Sequence, residues 1–154
     1  MIQDVVLGRT SMEVSGSYQF NGTAEKVWGL LMDPKALANC LPGVESLNVV
    51  GPEEYQAVIN VGVGPISGQY NAKIFLRDQK PYDSLTLVLE GSGSLGFANG
   101  ESFITLVEQV GKTTLNIKGD TQIGGAVARL GQRMMGSVAQ SMMDRFVKCL
   151  QNSV

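Results

Sequence analysis

The sequence predicts an α+β fold, a curved antiparallel sheet of about seven strands around one long C-terminal helix, with two short helices after the first strand. Three observations predict it. Strand patterns separated by short turns run from Val44 to Ile123. A helical pattern, rich in methionine, runs without a break from Ala126 to Gln151. Between the N-terminal strand and Val44 stand two segments that carry helix caps.

The first strand begins near Met12, and from Glu13 to Phe20 it alternates cleanly. Val14, Gly16, Tyr18 and Phe20 share one side, and Glu13, Ser15, Ser17 and Gln19 share the other. That is the pattern of a half-buried strand. Asn21-Gly22 ends it, and Thr23 caps a helix with Ala24, Val27, Trp28 and Leu31 on one stripe. Asp33-Pro34 stops that helix and starts the next, with Asp33 as cap and Pro34 at the first helical position. Leu41-Pro42-Gly43 then turns the chain into strands at Val44–Val50 and from Tyr55 to Val63. Ile66 to Arg77 is the clearest two-residue alternation in the chain. A strand through Leu85, Leu87 and Leu89 follows, then a glycine-rich connection from Gly91 to Gly100. Strands at Phe103–Glu108 and Thr113–Ile123 complete the sheet. In the last helix Leu130, Met134, Val138, Met142, Phe146 and Leu150 form an i, i+4 series that needs a wide apolar partner, and the sheet supplies it. Residues 1–11 read as a short N-terminal arm and residues 12–152 as a single domain.

Composition excludes several function classes. A net charge of −2 gives no pull toward nucleic acid. The chain holds no histidine, so neither a Ser-His-Asp nor a Cys-His relay can be built. Two cysteines without histidine make a poor metal site, so no metal is expected. No pair of carboxylates shares an apolar pocket, and Asp120 alternates with the solvent-facing residues of its strand, so no catalytic residue is assigned. The N-terminus lacks a basic segment followed by an apolar run, which makes the cytoplasm the expected location.

A curved sheet around one helix leaves a hollow, and methionine suits a wall that adapts to an apolar guest. Tyr18, Tyr70, Phe97, Met134, Val138 and Met142 are the candidate lining residues. Each tyrosine hydroxyl either bonds a guest or bonds a neighbouring group of the core. Gly93, Gly96, Phe97 and Gly100 are candidates for a deformable gate, with Phe97 plugging the entrance. Gly91-Ser92-Gly93-Ser94-Leu95-Gly96 has the spacing of a dinucleotide fingerprint, but a strand follows where a helix is needed, so no cofactor is expected. Cys40 and Cys149 read as buried free thiols; a bonded pair needs Cα atoms within about 7 Å, which sequence leaves open. Residues 126–152 carry a net +3, with Arg129, Arg133, Arg145 and Lys148 against Asp144 alone, leaving −5 for the remainder. That face either docks on anionic lipid or an acidic partner, or is simply solvated.

Four motifs carry a family resemblance. Asp33-Pro34 with Leu37 leads to Cys40-Leu41-Pro42-Gly43-Val44-Glu45-Ser46. Val63-Gly64-Pro65-Ile66-Ser67-Gly68 is followed by Tyr70. Gly91-Ser92-Gly93 leads to Gly96-Phe97-Ala98-Asn99-Gly100. Gln122-Ile123-Gly124-Gly125 precedes Ala128-Arg129-Leu130-Gly131. In this order, from about Met12 to Leu150, they resemble the carbon monoxide dehydrogenase CoxG family of the START-like, or SRPBCC, helix-grip superfamily. The resemblance implies a helix-grip domain with an apolar cavity that binds a quinone- or lipid-like molecule without being an enzyme. It also implies service to a molybdenum hydroxylase of the carbon monoxide dehydrogenase type. The alternatives are an assembly or membrane-recruitment factor acting through protein contacts, and a cyclase- or hydrolase-like enzyme. Expected partners are a hydrophobic small molecule, molybdenum hydroxylase subunits and a peripheral contact with the inner membrane surface. Some relatives extend past the last helix toward the membrane; this sequence stops at Val154, so no stable anchor is expected.

Overall fold

The computed structural model describes residues 9–62 and 66–154. Residues 1–8 of the expected arm, and Val63, Gly64 and Pro65 of the second motif, lie outside the described residues. Strand β1 (Arg9–Phe20) starts three residues before the expected Met12, because its backbone pairs with β7 from Arg9 opposite Gly124 onward.

The two short helices follow their caps. In α1 (Ala24–Leu31) the Thr23 hydroxyl accepts from the Lys26 amide at 3.2 Å, and Ala24, Val27, Trp28 and Leu31 are buried. In α2 (Pro34–Cys40) the Asp33 carboxylate accepts from the Lys35 amide at 3.0 Å, and Leu37 and Cys40 are buried. Gly43 then turns the chain with φ +76°, while its carbonyl accepts from the Asn60 amide at 2.8 Å. A Cβ at Gly43 would overlap the Asn60 carbonyl oxygen, so this turn needs glycine to start the sheet's outer edge.

Strands β2 (Val44–Gly51), β3 (Glu54–Val61), β4 (Gly68–Lys80), β5 (Ser84–Gly93), β6 (Gly96–Gln109) and β7 (Lys112–Gly124) follow. With β1 they form one antiparallel sheet in the order β1-β7-β6-β5-β4-β3-β2. Strands β5 and β6 run deep into the segment expected as a glycine-rich connection. Gly93 pairs with Gly96, and only Ser94 and Leu95 lie between the strands. The glycines there serve close backbone approach: Gly96, at φ +138°, lies against the Gly124 carbonyl, where a Cβ would overlap it. The last helix is also not continuous from Ala126. Gly125–Leu130 is a 3-10 helix, and α3 (Gly131–Gln151) begins at Gly131, whose φ of +80° breaks the helical path.

Alternation sends Phe20, Leu115, Leu106, Leu85 and Leu76 to the face that α3 covers, and Asp120 to the solvent face, where it is exposed as expected. The core divides in two. A large cluster joins Phe20, Val27, Trp28, Leu85, Leu115, Val147 and Leu150. A smaller one joins Met12, Ile66, Ile123, Val127 and Met135. Cys40 and Cys149, expected as free thiols, form a disulfide. The fold brings the C-terminal ends of α2 and α3 together with Cα atoms 5.3 Å apart, across a sequence separation of 109 that hides the pairing from local patterns.

Two backbone positions test this description. Gly43→Ala should cost about 1–3 kcal/mol in denaturant unfolding, the scale of a left-handed non-glycine residue, with the steric overlap adding to it. The β6–β7 hairpin turns through Val110 at φ +52° and Gly111 at φ +74°, and Val110 is fully exposed, with no packing to lose. Val110→Asn should therefore raise stability, by about 1 kcal/mol.

Candidate functional site

The site is built from two facing surfaces. On the sheet, Ala57, Ala72, Gly91 and Ala98 stand directly opposite one another across β3, β4, β5 and β6. All four belong to the face that carries the core. This row of small residues sits outside both clusters, although Ala57 and Ala72 are buried. A Cβ placed on Gly91 would meet only the carbonyl oxygens of Ala98 at 3.5 Å and Asn71 at 4.0 Å. Among the described residues, no side chain comes within 4 Å of that point. Leu89, on the same face beside the row, is 38% exposed.

The second surface is α3. Its N-terminal half contributes Met135, Val138 and Ala139 to the smaller cluster, and its C-terminal half contributes Phe146, Val147, Cys149 and Leu150 to the larger one. Met142 and Met143 lie between these halves, half-buried and in neither cluster. Thus the stretch of the helix between the two clusters carries two adaptable side chains, and the stretch of the sheet outside both clusters carries small ones.

Both expected tyrosines occupy the inner face, and both hydroxyls are already used. The Tyr18 ring lies over Gly16, and its hydroxyl donates to Asp144 Oδ1 at 2.7 Å. The Gln140 amide donates to the same oxygen at 2.8 Å and to the Tyr18 hydroxyl at 3.3 Å. Burial, and then the hydrogen bond and charge of Asp144, push the Tyr18 phenol up to about 12. The Tyr70 ring lies over its cross-strand partner Gly93, and its hydroxyl donates to the Ile66 carbonyl at 2.7 Å. Burial raises that phenol too. The tyrosines therefore serve as glycine covers and as struts between elements.

The remaining expected residues separate. Val138 packs on the smaller cluster and Met142 is half-buried, both on the inner side of α3. Met134 does not line that side and is 45% exposed. An i, i+4 series drifts by about 40° per step around an α-helix, so the expected series cannot stay on one face. The buried stripe instead passes through Met135, Ala139, Phe146, Val147 and Leu150. Phe97 pairs with Gly124 and Ser92 on the opposite face of the sheet and lies across Gly124. Gly93, Gly96 and Gly100, expected with Phe97 as a gate, are strand residues held in register. Phe97 helps line an open hollow of about 450 Å³ on the outer face, with Asn71 and Asn99, and Ala57, Ala72 and Gly91 of the small row border it too. Another hollow, of about 600 Å³, lies along the outer side of α3 at Arg133, Gln140 and Asp144. Neither is lined by Tyr70, Val138 or Met142.

Sequence reasoning missed Asp144 and Gln140 as partners of Tyr18, because they stand more than 120 residues away on another element. It also missed the small row. Ala57 and Ala72 are visible at inward positions of their strands, but only the register aligns them with Gly91 and Ala98.

Comparison with known proteins agrees with this architecture. The family model for CoxG of carbon monoxide dehydrogenase matches residues 16–154. A conserved protein from Geobacillus kaustophilus is 37% identical, with a TM-score of 0.89, over 92% of this chain and 93% of that one. A START superfamily protein from Mycobacterium smegmatis shares the fold at 13% identity and a TM-score of 0.72, over 92% of this chain and 96% of that one. The Zhui aromatase/cyclase from a Streptomyces species does so at 13% identity and a TM-score of 0.70, over 94% and 93%. The fold is the START-like helix-grip fold. No curated protein matches the chain in sequence.

The Tyr18 strut has a pH signature. A phenol held above its ordinary value of 10 in the folded state stabilises the fold below pH 10, and that contribution is lost as pH rises toward about 12. Ultraviolet titration should show one of the four tyrosines ionising near pH 12, and Tyr18→Phe should remove that step. The variant should also lose less stability than the parent between those two pH values.

Proposed function

Because the chain belongs to the carbon monoxide dehydrogenase CoxG family, we propose that it is a non-enzymatic carrier of an apolar, quinone- or lipid-like small molecule. The guest lies between α3 and the inner face of the sheet, and the protein is accessory to a molybdenum hydroxylase of the carbon monoxide dehydrogenase type. One observation carries this reading: the row of small residues Ala57, Ala72, Gly91 and Ala98 on the core face of the sheet, outside both core clusters, with ordinary room for a Cβ at Gly91. A core evolved only for stability fills such a row, because protein interiors pack to crystal-like density. Each methylene buried there contributes ~0.8 kcal/mol, so apolar area provides the affinity. The tyrosine hydroxyls, bonded to Asp144 and Ile66, add little to it.

The carrier reading is favoured over a cyclase-like enzyme by the same bonds. Tyr18 holds its proton and spends its hydroxyl on Asp144, so it acts as a link between β1 and α3. A second reading, docking on the partner enzyme or an anionic membrane surface, draws on Arg129, Arg133, Arg145 and Lys148, all exposed. Among the described residues no helix is long and apolar enough to cross a membrane.

Filling the space tests the carrier reading. Gly91→Leu places a side chain where a Cβ has ordinary van der Waals room, so the fold should hold. Binding of a short-chain ubiquinone or a fluorescent fatty acid should weaken by roughly tenfold or more, since the lost area is apolar. Met142→Asp should weaken it as much, by placing a charge beside the guest. Unchanged binding in both folded variants would overturn the assignment.

A further inference from the structure

Strands β6 and β7 carry a square of four inward positions with two hydroxyls on it. Gly100 stands opposite Thr121 and Ser102 opposite Gly119, so glycines occupy one diagonal and hydroxyls the other. The square shares the face of Ala98, Ile104, Leu115 and Ile123. Each hydroxyl leans over the glycine across the ladder. A Cβ on Gly119 would lie 2.5 Å from Ser102 Oγ, and one on Gly100 would lie 2.7 Å from Thr121 Oγ1. The glycines therefore clear the room that the hydroxyls occupy. Along β6 the square follows Ala98 by two residues, about 7 Å, so it adjoins the small row at Gly91 and Ala98.

The frame around the square is apolar. Met12 and Val14 of β1 stand opposite Thr121 and Gly119, and Leu89 and Leu87 of β5 stand opposite Gly100 and Ser102. No inward position of β5, β6 or β7 is a lysine or arginine. The carboxylate of Glu108, at the end of β6, accepts from the Ala24 amide at 2.7 Å. Ser102 and Thr121 are half-buried, and among the described residues neither hydroxyl has a protein partner. No buried side-chain oxygen of the described residues lacks one, so both of these oxygens are open to the space in front of them. An outer hollow of about 630 Å³, lined by Phe103, Lys118 and Asp120, also borders Ser102, but not Thr121. A hydroxyl in an apolar frame costs free energy unless a polar group meets it.

We propose that Ser102 and Thr121 are the polar selector of the guest: their hydroxyls donate to the carbonyl oxygen of a neutral molecule whose apolar body lies over the small row. This deepens the carrier reading and rests on it. Nothing in the protein competes for either hydroxyl proton, and a carbonyl oxygen has two lone pairs with which to accept them. A carboxylate would enter a frame that offers no cation, and an unpaired buried charge is far more costly than a neutral polar group. The two hydroxyls choose among guests, while apolar area holds the one chosen.

The test titrates the full chain with three naphthalenes of similar shape: 2-acetylnaphthalene, 2-ethylnaphthalene and 2-naphthoate. At neutral pH the parent should bind the ketone more tightly than the carboxylate, by about tenfold or more. Ser102→Ala and Thr121→Val should each lower affinity for the ketone relative to 2-ethylnaphthalene, by roughly three- to tenfold, the worth of one hydrogen bond. The infrared carbonyl stretch of the bound ketone should move to higher frequency in both variants. Each substitution is near-isosteric and removes a hydroxyl without a protein partner, so the denaturant midpoint should not fall. An unchanged ketone-to-hydrocarbon ratio with an unmoved carbonyl stretch, in folded variants, would overturn the selector and leave the carrier reading standing. Naphthoate bound as tightly as the ketone would overturn it too. A lower midpoint with equal losses for both neutral guests would assign the hydroxyls to the fold, which also overturns it. Failure of all three compounds to bind the parent would overturn the carrier reading and the selector together.

Discussion

The seating of the C-terminal half of α3 on β1 is the constraint on which the rest depends. Leu150 and Val147 share a cluster with Phe20, Leu115 and Val27, and all five are at most 1% exposed. A seven-stranded sheet with Leu76, Leu85 and Ile104 on one face is unstable in water unless something covers that face, at about 1.5–3 kcal/mol per large apolar side chain. The helix covers it completely at one end and less tightly farther along. The division of the core into two clusters follows from that.

Tyrosine chemistry inside the fold serves construction. Tyr18 and Tyr70 cover glycines and bond to protein groups, as buried hydroxyls generally must. What remains for a guest's affinity is shape and apolar area: small residues on the sheet, and the half-buried Met142 and Met143 on the helix. Methionine repacks at low cost, so the helix side of this surface is adaptable. The exposed basic residues Arg133, Arg145 and Lys148 lie on α3, and Arg129 lies on the 3-10 turn before it.

The fold is legible in the sequence to the extent that local rules govern it. Thr23 and Asp33 announce both short helices, and two-residue alternation announces the strands. Most of what the sequence hides depends on a contact that is distant in the chain. Glycines from Gly91 to Gly100 suggest a loose loop, yet they are strand residues because the Gly124 carbonyl crowds Gly96. Cys40 and Cys149 look solitary because 109 residues separate them. Met134 has a different cause: a four-residue spacing does not close on the helical period, so the series that points it inward carries it out to solvent. The candidate site is half visible: Val138 and Met142 follow from periodicity, whereas the small row needs the register of four strands.

The central claim is that the space over Gly91 holds an apolar guest. Solvent extraction of natively expressed protein, followed by mass spectrometry, tests it most directly. The account predicts a quinone or lipid-like compound in near-stoichiometric amount, depleted in Gly91→Leu prepared in the same way. Protein that emerges empty, and stays empty after exposure to quinones and fatty acids, would contradict it.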